Sequence, residues 1–327
     1  MVMESQLALE LVRITEAAAL ESARWTGRGD KHSADDAATV AIRTHFNSVS
    51  MDGTVVIGEG EMDEAPMLYI GEKVGNRKGP KIDIAVDPLE GTETVANGLN
   101  NALSVIAAAP AGSLLHAPDI YMQKLAVGPE LAGKLSLDDS MEDTLIKASR
   151  ILDKSLSDLT VSILDRTRHE HLISVLRKAG VRIKLLGHGD VMAAIETCTD
   201  SGVDMYVGSG GAPEGVLAAA ALKCMGGEIQ GRLLPESDED VARCIRMGLQ
   251  HPDALLSMDA MVGGQGVLFV ATGVTPGDFL PGVKYLPRNQ AETHSVVMYS
   301  ETKTVRFVRS MHRLPLLQSD LAAAVSY

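Results

Sequence analysis

The chain has little of what marks several large functional classes. Aromatic residues make up only 3% of its 327 positions, with a single tryptophan. Cysteine occurs three times, at 198, 224 and 244, and no C-x-x-C spacing is present. That odd, scattered set offers no disulfide framework and reads as buried, reduced thiols. Basic residues are outnumbered, 30 against 43 acidic, for a net charge of −13. Such a balance argues against nonspecific nucleic-acid or anionic-membrane binding. No run of about 18 uninterrupted apolar residues exists, so no membrane span is expected. The apolar stretch 102–117 is broken by Pro110 and Gly112 and reads as strand and turn. Met1-Val2-Met3-Glu4 lacks a basic n-region, so no signal peptide is expected and a cytoplasmic location is. No G-x-x-x-x-G-K-[ST] occurs, which disfavours a P-loop kinase or ATPase. The glycine-rich run 208–215 fails G-x-G-x-x-G, because Pro213 stands where the third glycine would be.

What is present is a chain able to bury a sizeable core. Hydrophobic residues reach 45%, with 31 glycines and 15 methionines. Small aliphatic side chains and methionine suit a layered α/β protein, and the length suits one large or two ordinary domains. Helical spacing of Leu7, Leu11, Ile14 and Ala18 predicts a helix over 4–25. Ser33 with Asp36 resembles a capping box that opens a second helix to Phe46. Strands are predicted at 54–58, 67–71, 81–87, 103–109 and 121–127. Beyond residue 140 helix and strand alternate: helices at 141–153, 168–179, 190–198 and 214–225, strands at 159–165, 181–186 and 204–207. Alternation argues for parallel βαβ units and an α/β fold class. Later strands are predicted at 267–271, 295–300 and 303–308. The composition shift near Pro129, Gly133 and Asp138-Asp139 marks a boundary between halves 1–135 and 136–327 of one compact unit.

The stretch from Ile82 to Thr92 carries the most chemistry. Ile82, Ile84 and Val86 alternate as in a strand, and Pro88 is expected to stop the ladder just after Asp87. Asp87 then sits at a strand's carboxyl end, where open α/β sheets place ligands. Glu90 follows, then Gly91 and the hydroxyl of Thr92. Two carboxylates on one turn form an oxygen-rich site for a hard cation. Three further acids stand at element ends: Asp35 in a first helical turn, Glu59 after a strand, and Glu214 opening a helix. Each could be an ordinary surface acid. Together they matter more, because two bare carboxylates about 5 Å apart repel by roughly 3 kcal/mol at an effective dielectric near 20. Convergence of four or five would demand cations, Mg²⁺ or Mn²⁺ foremost.

Positive charge is expected in two spots, Arg28 with Lys31 and Arg166 with Arg168. The second pair follows a strand and suits a phosphate clamp. Gly187-His188-Gly189-Asp190 repeats the strand, glycine turn, helix pattern, and Asp190 suits a sugar hydroxyl or a helix cap. His169-Glu170-His171 lacks H-E-x-x-H spacing and reads as a solvated helix start.

The turn Asp87-Pro88-Leu89-Glu90-Gly91-Thr92, with Glu59 upstream, resembles the metal-site signature of the lithium-sensitive, metal-dependent sugar phosphatase superfamily. The similarity is greater to one branch, the class II fructose-1,6-bisphosphatases of bacteria. It is carried by Gly27-Arg28-Gly29-Asp30-Lys31, Val56-Ile57-Gly58-Glu59-Gly60-Glu61, the segment from Asp63 to Glu72, Ala117-Pro118-Asp119 with Tyr121-Met122, and Gly210-Gly211-Ala212-Pro213-Glu214-Gly215. The resemblance implies a layered α/β/α/β/α sandwich. It implies hydrolysis of the 1-phosphate of fructose 1,6-bisphosphate, a step of gluconeogenesis. It implies metal ligands at Asp35, Glu59, Asp87, Glu90 and Glu214. Catalytic roles fall on Thr92, Glu59 and Asp87. Substrate contacts fall on Lys31, Glu90, Gly91, Thr92, Tyr121, Arg166, Thr167, Arg168, His188, Gly189, Asp190 and Gly211. A homodimer or homotetramer acting on a small sugar bisphosphate is the implied state. His188 departs from the aspartate common there, and Arg166-Thr167 from a commoner Lys-Pro. The stretch 234–244 looks shortened. Sedoheptulose 1,7-bisphosphate as substrate, alone or in addition, and a non-catalytic sugar-phosphate sensor are the alternatives.

Overall fold

The computed structural model describes residues 2–60 and 66–315, so the acids Glu61, Asp63 and Glu64 lie outside the described residues. The chain opens with helices α1 (Val2–Ser22) and α2 (Lys31–Phe46). Strands β1 (Asp52–Ile57), β2 (Lys73–Val74), β3 (Lys81–Glu90) and β4 (Leu103–Pro110) follow, with the short helix α3 (Thr92–Ala96) between the last two. Next come β5 (Tyr121–Val127), α4 (Met141–Leu152), β6 (Thr160–Leu164), α5 (Glu170–Ala179), β7 (Arg182–Leu186), α6 (Asp190–Glu196), β8 (Met205–Gly211), α7 (Ala212–Met225) and β9 (Glu228–Leu233). Helices α8 (Asp238–Arg246) and α9 (Met258–Met261) lead to β10 (Leu268–Gly273), β11 (Lys284–Leu286), β12 (Gln290–Tyr299) and β13 (Thr304–Arg313).

Two sheets result. The larger runs β11-β12-β10-β4-β3-β1-β2, with β13 paired to β12, and the smaller runs β7-β6-β8-β5-β9. Residues 121–233 thus build the small sheet between two visits to the large one. The expected dividing point at residue 135 falls between β5 and α4. The anticipated parallel units are real for β6, β7 and β8, while β5 enters antiparallel to both β8 and β9.

Three cores hold five layers together. Leu11 and Ile14 of α1 and Ile42 and Phe46 of α2 pack on Ile82, Ile84, Val86 and Val270 of the large sheet. Helices α6 and α7 fill the space between the sheets, with Val191, Ile195, Val216 and Leu217 against Val105, Met122 and Tyr206. On the far side, Leu145, Ala148, Ile173 and Leu176 of α4 and α5 cover Val161, Ile163 and Val207. The order is α/β/α/β/α, as the resemblance implied. Helix α7 carries the run Ala218–Ala221, all buried, so two sheets approach it closely without bulky side chains.

Several local expectations are corrected. Asp30 caps α2: its side chain accepts from the Ser33 amide at 3.0 Å, so the helix starts earlier than a Ser33 cap allows. Pro88 does not end β3, which continues to Glu90 through a register shift between Asp87 and Glu90. A bulge accommodates the missing amide. No strand forms at 67–71, where the backbone turns back to bond β1: Glu59 N donates to Leu68 O at 3.1 Å and Gly71 N to Val55 O at 2.7 Å. The glycine-rich residues 208–211 belong to β8 and not to a loop. His169 is 3% exposed, not solvated. Strand β9 and helix α8 went unanticipated, and α8, with a Ser237–Asp240 capping box, occupies the stretch read as shortened.

Candidate active site

The carboxyl ends of β1, β3, β6, β7 and β8 open on one cavity of about 510 Å³. Asp35, Glu59, Asp87, Glu90 and Glu214 all line it, as do Gly91, Thr92, Tyr121, Arg166, Arg168, His188, Gly189, Asp190 and Gly211. Acids separated by nearly two hundred positions in sequence therefore share one wall. Two expected residues stand apart. Lys31 is exposed and donates to Glu93 Oε1 at 3.1 Å, on the rim, and Thr167 begins a one-turn helix outside the cavity lining.

Local backbone explains the placement. Gly91 caps α3 with φ 91°, a left-handed conformation open to glycine, and is followed by Thr92 in the cavity lining. Asp87 Oδ1 accepts the Leu89 amide at 3.0 Å across the bulge. Glu90 Oε1 accepts the Val191 amide at 3.1 Å, which ties β3 to the start of α6. A β-carbon on Gly210 would meet Asp190 Oδ2 at 2.1 Å, and one on Gly211 would meet Glu214 Oε2 at 2.1 Å. The glycine run is thus the space into which two carboxylates fit.

Electrostatics set this wall apart from a solvated acidic surface. Burial, then the Asp35 charge, raises Glu59 to about 8. Burial, then Asp190, raises Glu214 to about 7. Burial also pushes Asp87 well above the ordinary range, helped by Glu90 and Glu214, and pushes Glu90 up, helped by Asp190. Asp35 rises through burial and the neighbouring Asp36. These are the shifts of anions crowded in low dielectric without enough countercharge. Glu90 Oε2 and Glu214 Oε2 are buried with no hydrogen-bond partner. Among the described residues no group of three or more His, Cys, Asp or Glu side chains is arranged to hold a metal ion as it stands. The donor set nonetheless fits a hard cation: all-oxygen, several carboxylates, and two orphaned buried oxygens.

The opposite end of the cavity is basic. Arg168 Nε donates to Ser209 Oγ at 3.1 Å and Nη2 to Ser209 O at 2.8 Å, while its guanidinium lies 4.5 Å from the Tyr121 ring centroid. His169 fixes that strand: Nδ1 bonds Leu164 O at 2.8 Å and Nε2 accepts the Ser209 amide at 2.9 Å. Burial keeps His169 below the ordinary histidine range, so the ring stays neutral and able to accept. Arg166 Nη2 lies 3.3 Å from His188 Nδ1. Asp119 and Glu93 also line the cavity, and Lys124 lies behind it on Asp190; none of the three was among the expected residues. Lys124 left a signal: a lone charge in the alternating apolar strand Met122-Gln123-Lys124-Leu125-Ala126.

A cavity with acids at one end and arginines at the other suits a phosphate ester carrying a second anionic group. Comparison with known proteins agrees. The sequence matches the family described as bacterial fructose-1,6-bisphosphatase, glpX-encoded, over residues 5–312. The chain belongs to this family. It is 45% identical over 326 residues to fructose-1,6-bisphosphatase 1 class 2 of Escherichia coli (strain K12), covering 95% of this chain and 96% of that relative. The same identity and coverage hold for fructose-1,6-bisphosphatase class 2 of Shigella flexneri. A solved inositol monophosphatase from Anabaena (Nostoc) sp. PCC 7120 overlays with TM-score 0.29 and 16% identity, covering 57% of this chain and 69% of that one. So partial an overlay adds nothing to the assignment. Membership makes the chain a phosphoric monoester hydrolase of carbohydrate metabolism, and fructose 1,6-bisphosphate is the substrate by which the family is described. Among the described residues no helix is long and apolar enough to cross a membrane.

Proposed function

We propose that this chain hydrolyses the 1-phosphate of fructose 1,6-bisphosphate, giving fructose 6-phosphate and inorganic phosphate, with Mg²⁺ or Mn²⁺ held by Asp35, Glu59, Asp87, Glu90 and Glu214. The observation that carries the reading is the division of one cavity into a crowded acidic wall and an arginine end. A bound divalent cation supplies neutralisation of phosphoryl charge and acidification of a nearby water. The chain's own residues do the rest. Thr92, the first residue of α3, turns its hydroxyl to the attacking water, aligns it and passes its proton toward a neighbouring carboxylate of the acidic wall. Arg168, braced by Ser209 and Tyr121, and Arg166 beside His188 hold the far phosphate. Asp190 and Gly211 meet the sugar between them. Holding both ends of the substrate aligns the scissile phosphate against the acids.

The test is phosphate release from fructose 1,6-bisphosphate with Mg²⁺, with Mn²⁺ and with chelator, beside sedoheptulose 1,7-bisphosphate and an inositol monophosphate. Activity that survives chelation, or an inositol monophosphate preferred over both bisphosphates, would overturn the reading. Binding of the bisphosphate without turnover under either ion would identify a sensor instead. A cytoplasmic homodimer or homotetramer belongs to the same proposal, and light scattering measures its size.

A further inference from the structure

Lys124 is 1% exposed, and Lys is among the side chains least often buried completely. It stands mid-strand on β5, where Met122 and Ala126, on the same face, join the core between the sheets. Its Nζ donates to Asp190 Oδ2 and to the Gly211 carbonyl oxygen, the latter at 2.6 Å. Both partners line the substrate cavity; Lys124 itself lies behind them. Two glycines make room for it: a β-carbon on Gly210 would come within 3.3 Å of Nζ, and one on Gly215 within 3.2 Å of Cε. It is also the positive charge that draws Glu90 and Glu214 downward against their burial. Asp190 is itself buried, opens α6, and has no other cation in an ion pair among the described residues.

We infer that Lys124 is a positioning residue for substrate: a fixed internal cation that keeps the Asp190 carboxylate aimed at a sugar hydroxyl, and fixes the Gly211 backbone beside it. The inference rests on the proposed bisphosphatase reading, in which Asp190 and Gly211 contact the sugar. Lys124 touches neither substrate nor the reacting phosphate, so it acts on binding. An ammonium deleted from behind Asp190 leaves a buried carboxylate without its partner, and the side chain loses its aim. That removes the acceptor offered to the substrate.

The experiment is a double-mutant cycle on Lys124→Met and Asp190→Asn. Lys124→Met keeps the length of the side chain and loses its charge. KM for fructose 1,6-bisphosphate is expected to rise about tenfold or more, with kcat within about threefold of wild type. Binding of fructose 6-phosphate, measured by calorimetry without added metal, is expected to weaken by a similar factor. The double variant is expected to match Asp190→Asn alone in KM, and to recover melting temperature lost by Lys124→Met. Unchanged KM and unchanged fructose 6-phosphate binding in Lys124→Met would overturn the inference, as would KM effects that multiply in the double variant. If Lys124→Met alone fails to fold, the double variant against Asp190→Asn decides: equal KM supports the inference and a further large rise overturns it. A wild-type protein that releases no phosphate would overturn the functional reading, while fructose 6-phosphate binding, which needs no turnover, would still report on Lys124.

Discussion

Glu59, just past the end of β1, and Asp35, in the second turn of α2, interact in the cavity wall. Burial raises both, and the Asp35 charge adds to burial in holding Glu59 at about 8.

That relationship predicts an unusual pH dependence for the metal-free protein. Glu59 and Glu214 have folded-state pKa values of about 8 and about 7, above the roughly 4.3 of a free glutamate. The native state therefore binds protons more tightly than the unfolded chain. Their contribution to stability is fully present below about pH 4 and is lost as pH rises through 7 and 8. Chelated protein should melt on the order of 5 °C lower near pH 8 than near pH 5. Saturating Mg²⁺ or Mn²⁺ should remove most of that slope. A melting temperature that climbs with pH in chelator would show that these acids are not crowded together.

Thr92 tests the chemistry separately from binding. Thr92 lines the cavity as the first residue of α3. Thr92→Ala should lower kcat by about 10²–10⁴, the usual worth of a positioned proton-transfer group, and change KM by less than about twofold. A large KM rise at constant kcat would reassign Thr92 to binding.

Arg168 should do the reverse. Three contacts hold it, two from Ser209 and one from the Tyr121 ring. Losing a charged hydrogen bond to phosphate costs about 1.5–3 kcal/mol, or roughly 10–150-fold in affinity. Arg168→Met should raise KM for the bisphosphate by that factor. A sugar monophosphate that lacks the distal phosphate should be affected far less. Equal loss on both substrates would place Arg168 at the scissile phosphate.

Much of this site was legible because sequence marks the ends of elements. Ile82, Ile84 and Val86 announce β3, and Asp87 and Glu90 follow where a strand end delivers ligands. Glu59 and Glu214 stand at comparable ends. What stayed hidden depends on contacts across the fold. The pairing of β8 with β5 turns the glycine-rich residues 208–211 into strand, where the sequence alone reads a loop. His169 looks like any helix-start histidine until Leu164 and Ser209 close around it. Pro88 lacks a ladder amide, yet β4 keeps its pairing with β3 on either side of the bulge. Lys124 was readable as an anomaly, but its partner Asp190 is 66 positions away.

Two glycines that both face crowded space should fail in different ways. A β-carbon on Gly58 would meet the Leu68 carbonyl oxygen at 1.9 Å, and backbone there cannot retreat because Leu68 is pinned by Glu72 and bonded by Glu59. Gly58→Ala should therefore cost stability, about 1–3 kcal/mol or more, seen as a lower melting temperature. A β-carbon on Gly211 would meet only the far end of Glu214, at 2.1 Å, and that flexible carboxylate can swing aside. Gly211→Ala should keep nearly the wild-type melting temperature while displacing a proposed metal ligand. The divalent-ion concentration for half-maximal phosphate release should rise roughly 10–100-fold, the scale on which misplaced ligand shells act. Unchanged ion dependence in a folded Gly211→Ala protein would remove Glu214 from the metal shell and leave Asp35, Glu59, Asp87 and Glu90 to hold the ion alone.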